Sequence, residues 1–262
     1  MQRPPFLWSV DGALLRWRLL EVALWRVLGR FVGWRLAREA VGDGANKTLR
    51  FCYTVGMSRV KGIVFDYGGV LSAPQDPAFF EVVREAMGLS REEVLAGWRR
   101  HRLELDRGVL SVVALYRQIG ADYGVSVSEA VLERVGQADY DSWAHGNDAV
   151  LAWGRELKAA GYRLAILTNM PPDYLALFER AAGAFRRLAE VEVVSGLEGV
   201  VKPEEAIYRL VEERMGLRGE SLFFLDDTAR NVEAARALGW RGAVFRTVAE
   251  AREALAAVER GL

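Results

Sequence analysis

The stretch Lys61-Gly-Ile-Val-Phe-Asp66-Tyr-Gly-Gly-Val-Leu71 decides the fold of this chain. Residues 63–65 form a short apolar run, which predicts a buried strand, and Asp66 stands where that strand ends. Two glycines follow and allow the backbone to turn sharply. A carboxylate at the carboxyl end of a buried parallel strand lies where open α/β sheets bind their ligands. The fold therefore depends on whether the rest of the chain supplies further strands that end at the same edge.

Strand and helix patterns alternate from residue 149 to the end of the chain. Apolar runs at 162–168, 191–195, 221–225 and 242–245 predict strands, and helical patterns separate them. Repeated βα units of this kind form a parallel sheet with helices on both faces. The predicted class is therefore α/β, with a Rossmann-like core made of residues 57–72 and 145–262.

Between the first and second predicted strands lie roughly 70 residues of helical pattern, too many for a direct crossover. We predict that residues 73–144 form a small helical cap over the carboxyl edge of the sheet. Its polar and aromatic residues with the potential to face a substrate are Trp98, His101, Arg102, Asp106, Arg107, Trp143 and His145.

Residues 1–56 differ in character from the rest, with nine basic and four acidic side chains. Charged residues interrupt every apolar run, which excludes a membrane span of about 20 residues and a signal peptide. We predict an N-terminal extension outside the core fold, either a start site assigned upstream of Met57 or a helical appendage. A helix that binds a membrane surface or a partner is the alternative.

Composition limits the class of partner. Lys plus Arg and Asp plus Glu both number 35, so the net charge gives no reason to expect nucleic acid as a partner. Cys52 is the only cysteine, which excludes an intrachain disulfide and favours a reducing, cytoplasmic setting. No stable membrane insertion is expected, and the sequence leaves the oligomeric state open.

Polar residues follow three further predicted strands at the edge where Asp66 lies. They are Thr168 and Asn169, then Lys202, then the pair Asp226 and Asp227. Three carboxylates at one edge repel one another unless a hard cation lies among them, and Mg²⁺ binds carboxylates, waters and phosphate oxygens. A lysine can neutralise a phosphate from the other side. The set predicts phosphoryl transfer, with Mg²⁺ as cofactor.

In order and spacing these residues resemble the motifs of the haloacid dehalogenase superfamily, most of whose members are phosphatases. The four motifs are Phe65–Leu71, Leu167–Asn169, Lys202-Pro203 and Leu225–Asn231. The resemblance spans residues 60–245 and implies a Rossmann-like core with a helical cap inserted after the first motif. Within the superfamily, the chain resembles the branch that contains sugar-phosphate phosphatases and the phosphatase domain attached to some epoxide hydrolases, which implies a small phosphorylated metabolite as substrate.

The resemblance implies a role for each motif residue. Asp66 would be the nucleophile that forms an aspartyl-phosphate, and Lys202 would bridge it to a phosphate held by Thr168 and Asn169. The implied magnesium ligands are Asp66, the backbone carbonyl of Gly68, Asp227, and Asp226 directly or through water, with Asn231 supporting a water on the metal.

Gly68 departs from the superfamily pattern, because most of its phosphatases carry there a second Asp that protonates the leaving group. General acid help is worth roughly 10²–10⁴ in rate. We therefore expect a slow enzyme, one with a good leaving group such as a sugar 1-phosphate, or one that uses another acid such as Asp106, His101 or a water. Two alternatives remain open: a phosphate-binding or regulatory module with little turnover, and a metal-independent haloacid dehalogenase that uses Asp66 on carbon.

Overall fold

The computed structural model describes residues 34–41, 48–55 and 60–261. Strands β1 (Trp34–Val41) and β2 (Thr48–Val55) pair antiparallel, from Trp34 opposite Val55 to Val41 opposite Thr48. A helical appendage is therefore wrong for these two stretches. The predictions for residues 1–33, 42–47 and 56–59 fall outside the described residues.

The remainder of the described chain is built on a parallel sheet of five strands. They are β3 (Gly62–Phe65), β4 (Arg163–Thr168), β5 (Val191–Val194), β6 (Leu222–Asp226) and β7 (Arg241–Val244). Their spatial order is β5-β4-β3-β6-β7, so β3 lies in the centre between β4 and β6. The predicted α/β class is confirmed.

Four helices occupy the segment between β3 and β4 that we call the cap segment, residues 73–144. They are α1 (Phe79–Met87), α2 (Arg91–Asp106), α3 (Val112–Asp122) and α4 (Glu129–Ser142). Ser90 and Glu93 begin α2 with a capping box, in which each side chain accepts from the other residue's backbone N–H. Within residues 73–144, all described, no strand is present.

Six α-helices of residues 145–261 surround the sheet. They are α5 (Asp148–Ala159), α6 (Leu175–Arg186), the short α7 (Ser195–Glu198), α8 (Glu205–Met215), α9 (Ala229–Ala237) and α10 (Val248–Arg260). No helix of the described ranges combines the length and the apolar character that crossing a bilayer requires.

Alternating side chains of β3 bury both faces of the sheet. Ile63 and Phe65 pack into one apolar cluster with α5, α6 and α10, whereas Val64 packs into a second cluster with α8 and α9. Phe65 lies edge-on to Trp153 and Phe185, with ring centroids 5.9 and 4.9 Å away. Packing on both faces holds the carboxyl end of β3 rigidly beneath the site.

The cap segment contacts the core beyond its two chain connections. Ser195 Oγ donates to the carbonyl oxygen of Asp106 at 2.5 Å and accepts from the backbone N–H of Met170 at 3.0 Å. The backbone N–H of Val112, in the first turn of α3, donates to Asp173 Oδ2 at 2.8 Å. These bonds place the end of α2 beside the loops that leave β4 and β5.

Candidate active site

Asp66 is placed by the strand pairing that precedes it. Its backbone N–H donates to the carbonyl of Leu225 at 2.9 Å, so Asp66 lies beside Asp226 at the end of β6. Asp66 Oδ1 accepts from the backbone N–H of Tyr67 at 2.6 Å and pairs with Lys202 Nζ at 2.7 Å. Both donors bind the same oxygen, which leaves Oδ2 available to a ligand.

The turn after Asp66 requires a glycine at position 69. Gly69 has a φ of +69°, in the left-handed region that favours glycine. A Cβ there would also lie 2.8 Å from Asp227 Oδ2, closer than atoms can approach. Gly69 therefore lets the first and fourth motifs come together.

Lys202 is buried between two carboxylates, with 4% of its surface exposed. Its Nζ lies 2.7 Å from Asp66 Oδ1, 2.7 Å from Asp226 Oδ2 and 3.0 Å from the carbonyl of Leu167. Burial lowers the pKa of Lys202, but Asp226 and Asp66 together raise it above its usual value. The side chain is a fixed positive charge, with all three ammonium donors directed at protein oxygens.

Asp226 is fully buried and accepts on both oxygens. Its Oδ1 takes the backbone N–H of Thr228 at 2.8 Å and Asn231 Nδ2 at 3.1 Å, and its Oδ2 takes Lys202 and the same amide at 3.0 Å. These contacts use the four acceptor positions of a carboxylate. Asn231 therefore orients Asp226, and Asp226 orients Lys202.

Asp227 supplies the more accessible carboxylate of the pair, and its Oδ1 accepts from the Thr228 hydroxyl at 3.1 Å. One oxygen each from Asp66, Asp226 and Asp227 lies within 4.8 Å of the others. Burial raises the pKa of Asp66 to about 7 against the opposing charge of Lys202, and burial together with Asp226 raises the pKa of Asp227. Three carboxylates beside one ammonium leave the site short of positive charge, which fits a hard divalent cation such as Mg²⁺.

The second motif has two different roles. Thr168 is buried at the end of β4 and lines the same cavity as Asp66; its hydroxyl makes no hydrogen bond to any residue in the described chain. The Asn169 carboxamide is bound twice to Lys202, its Nδ2 donating to the carbonyl at 3.0 Å and its Oδ1 accepting from the backbone N–H at 2.8 Å. Any contact of a phosphate with Asn169 would thus fall to its backbone N–H.

Gly68 lies beneath the ring of Trp143 from the cap segment. A Cβ at Gly68 would lie 3.5 Å from Trp143 Cζ3, an ordinary van der Waals contact, and its φ of −64° is open to any residue. The adjacent Tyr67 is buried against Phe178 and donates its hydroxyl to the Trp143 carbonyl at 2.9 Å. The predicted position of the missing acid therefore faces an indole, and Tyr67 does not replace it.

The site opens into a cavity of about 390 Å³ between core and cap segment. Four of the seven predicted cap residues line it: Trp98, Arg102, Asp106 and Trp143. The other three, all described by the structure, do not line the cavity: His101, Arg107 and His145. His101 binds Asp122 at 2.8 Å and Arg107 pairs with Glu204, which removes His101 as the substitute acid.

Sequence reasoning missed Asp139, which lines the same cavity and is 2% exposed. Its oxygens accept from Tyr116 Oη at 2.8 Å and from Gln75 Nε2 at 3.1 Å. Burial raises the pKa of Asp139 to about 6, and the nearby Tyr116, Tyr174 and Arg102 oppose that rise. The signal was present, because Asp139 falls seven residues after Leu132 on the buried stripe of α4.

Comparison with known families agrees with this geometry. The family model of the haloacid dehalogenase-like hydrolases matches residues 60–239, well over half of the chain. The chain belongs to this family. It is therefore a haloacid dehalogenase-like hydrolase, as the four motifs predicted.

Curated relatives of this hydrolase carry out two kinds of chemistry. A phosphatase from Mycobacterium tuberculosis is 25% identical over 185 residues, which cover 70% of this chain and 85% of the relative. An (S)-2-haloacid dehalogenase from Pseudomonas putida is 28% identical over 200 residues, which cover 70% of this chain and 83% of the relative.

Solved structures share the fold. A haloacid dehalogenase family enzyme from Bacteroides thetaiotaomicron superimposes with a TM-score of 0.61 at 20% identity, covering 72% of this chain and 95% of that one. A second structure of that enzyme holds magnesium and inorganic phosphate and has a TM-score of 0.59 at 20% identity, covering 72% of this chain and 96% of that one. At this identity the likeness supports the fold alone.

Proposed function

We propose that this hydrolase is a Mg²⁺-dependent phosphatase that cleaves small phosphate monoesters, such as sugar phosphates, through an aspartyl-phosphate on Asp66. The observation that carries the proposal is the arrangement of Asp66, Asp226 and Asp227 around the single ammonium of Lys202. That arrangement suits a dianionic substrate only when a divalent cation offsets the carboxylates.

The residues that would hold Mg²⁺ are Asp66, Asp227 and the backbone carbonyl of Gly68. Asp226 would contribute its negative charge to the site rather than a ligand atom, because its four acceptor positions already take protein donors. The bound ion would neutralise the phosphate oxygens and the carboxylates that approach them.

In the first step the Asp66 carboxylate attacks phosphorus. An Asp66 O–P bond forms while the P–O bond to the leaving group breaks, and the leaving alkoxide takes a proton from solvent because Gly68 offers none. Lys202 holds Asp66 Oδ1 in place, and the Thr168 hydroxyl is positioned to donate to a phosphate oxygen.

In the second step a water attacks the phosphorus of the aspartyl-phosphate. The O–P bond to Asp66 breaks, orthophosphate leaves with the water's oxygen, and the carboxylate is regenerated. The rigid support of Asp66 by Tyr67, Lys202 and the strand beneath it returns the same geometry for the next turnover.

A haloacid dehalogenase is the second candidate, and the Pseudomonas putida relative favours it. In that reaction Asp66 would attack carbon and release halide, so the lack of an acid at Gly68 would cost nothing. The buried Asp226 and accessible Asp227 argue against it, because a reaction without a cation gains nothing from two extra negative charges beside the nucleophile.

The test is phosphate release from p-nitrophenyl phosphate and a panel of sugar phosphates, with Mg²⁺ or with EDTA. Mg²⁺-dependent release that Asp66→Asn abolishes is expected. A matched control is Asp141→Asn, an exposed carboxylate of α4 paired with Arg180, which should retain activity.

Three other outcomes would contradict the phosphatase proposal. Metal-independent halide release from (S)-2-chloropropionate would show that the protein is a dehalogenase. Tight binding of phosphate or beryllofluoride without hydrolysis would indicate a binding or regulatory module. Phosphate release that is the same in wild type and Asp66→Asn would overturn the assignment of the nucleophile.

A further inference from the structure

The part of the cavity formed by the cap segment carries an unequal set of charges. We call it the cap wall: Trp98, Arg102, Leu105, Asp106, Asp139 and Trp143. Among these described residues two carboxylates face one guanidinium. The remaining basic residues that line the cavity, Lys202 and Arg230, belong to the core.

The positive charge of Arg102 is paired within the cap wall. Its Nε donates to Asp106 Oδ1 at 2.7 Å, and its charge also acts on the buried Asp139. Asp139 is held as an acceptor by Tyr116 and Gln75, and a pKa of about 6 leaves it charged at neutral pH. The cap wall therefore has a net charge of about −1, with the positive charge neutralised from within the wall.

Aromatic rings provide the rest of the cap wall. Trp143 covers Gly68 next to the nucleophile, and Trp98 stacks on Phe79 with ring centroids 5.4 Å apart. Flat apolar faces beside hydrogen-bonding carboxylates suit a neutral carbon skeleton with hydroxyl groups. A cavity of about 390 Å³ accommodates a phosphate with a leaving group of a few carbon atoms.

Resting on the proposed phosphatase function, we propose that the cap wall selects phosphate monoesters whose leaving group carries no second negative charge. Asp106 determines this specificity, because it neutralises Arg102. A carboxylate or second phosphate on the leaving group would be placed against a wall of the same sign, whereas a hydroxyl would meet no such repulsion and would donate to Asp106.

The test compares two esters with the same three-carbon skeleton, glycerol 1-phosphate and 3-phosphoglycerate, which differ in a hydroxymethyl group against a carboxylate. Wild type is expected to show at least a tenfold higher kcat/KM on glycerol 1-phosphate. Asp106→Asn keeps the side-chain shape and the backbone bond to Ser195 while it frees the charge of Arg102. This variant should lower the ratio of kcat/KM on glycerol 1-phosphate to kcat/KM on 3-phosphoglycerate about tenfold.

Arg102→Gln supplies the opposite perturbation, since it leaves the two carboxylates without their cation. It should widen the ratio between the two esters about tenfold. Asp141→Asn makes the same change of net charge on the outer face of α4, where Asp141 pairs with Arg180, and should leave the ratio unchanged.

Two results would overturn the specificity proposal: a wild-type preference for 3-phosphoglycerate, or a ratio that Asp106→Asn and Arg102→Gln shift in the same direction. If no variant hydrolyses either ester, the phosphatase proposal fails separately. Calorimetric binding of the two esters to Asp66→Asn and to Asp66→Asn with Asp106→Asn then still measures the selectivity of the cap wall.

Discussion

Replacing Lys202 with Met removes the one ammonium that separates Asp66 from Asp226. Methionine has a similar length and no charge, so the perturbation is mainly electrostatic. Both carboxylate oxygens lie 2.7 Å from Nζ, so they are no more than about 5.4 Å apart. At an effective dielectric constant of about 20, two unit charges at that separation repel by about 3 kcal/mol.

The expected loss of folding free energy is about 3–5 kcal/mol at pH 8, the range typical when one partner of a buried ion pair is removed. The loss should shrink at pH 5.5. At pH 5.5 Asp66 is protonated in wild type and variant alike, because burial raises its pKa to about 7 and the loss of Lys202 raises it further. At pH 8 the wild type holds an ionised Asp66 beside Lys202, whereas the variant either keeps two repelling carboxylates or takes up a proton far above the pKa of an unfolded aspartate, and either costs stability.

Urea unfolding with EDTA present measures the loss of folding free energy at pH 8 and at pH 5.5. Lys158→Met is the matched control, because Lys158 pairs with Glu190 at the surface and its loss should cost no more than about 1 kcal/mol at either pH. A loss below about 1 kcal/mol at pH 8 for Lys202→Met, or the same loss at both values of pH, would refute the charge argument.

Two further predictions concern Gly68 and Asp139. Gly68→Asp should raise kcat on alkyl phosphates, because the new carboxyl group can protonate the leaving alkoxide. The gain should lie toward the lower end of the roughly 10²–10⁴ range of general acids, since the Trp143 ring limits the new side chain. The kcat on p-nitrophenyl phosphate should not change, and equal changes of kcat on both substrates would contradict the prediction. Burial raises the pKa of Asp139 from 3.8 to about 6, so the folded state binds more protons than the unfolded state between these values, and its contribution to stability falls by up to about 3 kcal/mol as pH rises through that window. The difference in unfolding free energy between wild type and Asp139→Asn, measured from pH 4 to pH 7, should show this slope, and a flat difference would argue against it.

The fold and the catalytic edge follow from local patterns. A run such as residues 63–65 has to be buried on both faces, and the runs of β3 and β6 end at acidic residues. Parallel pairing of these two strands brings Asp66 and Asp226 to one edge without further information. Helix starts are equally local, as the Ser90 capping box shows.

Side-chain partners were beyond such patterns. Nothing near Asn169 in the sequence indicates that its carboxamide binds the backbone of Lys202, since the two residues meet only when the β4 and β5 loops pack together. The contact between Trp143 and Gly68 depends in the same way on where the cap segment lies.

Strand β2 was not predicted, although its sequence carries the pattern of a strand. Leu49, Phe51, Tyr53 and Val55 alternate with polar or small residues, which is the period of a strand. The charged residues that precede them favoured a helical interpretation instead.

The Ser195 hydroxyl joins two parts of the molecule that serve different ends. It receives the N–H of Met170, next to the residue that orders the Lys202 loop, and it donates to the carbonyl at the end of α2. Any displacement of the end of α2 away from the core would have to break its bond to the same hydroxyl that holds the loop after β4. The position of the cap segment and the position of that loop are in this way coupled through one oxygen atom.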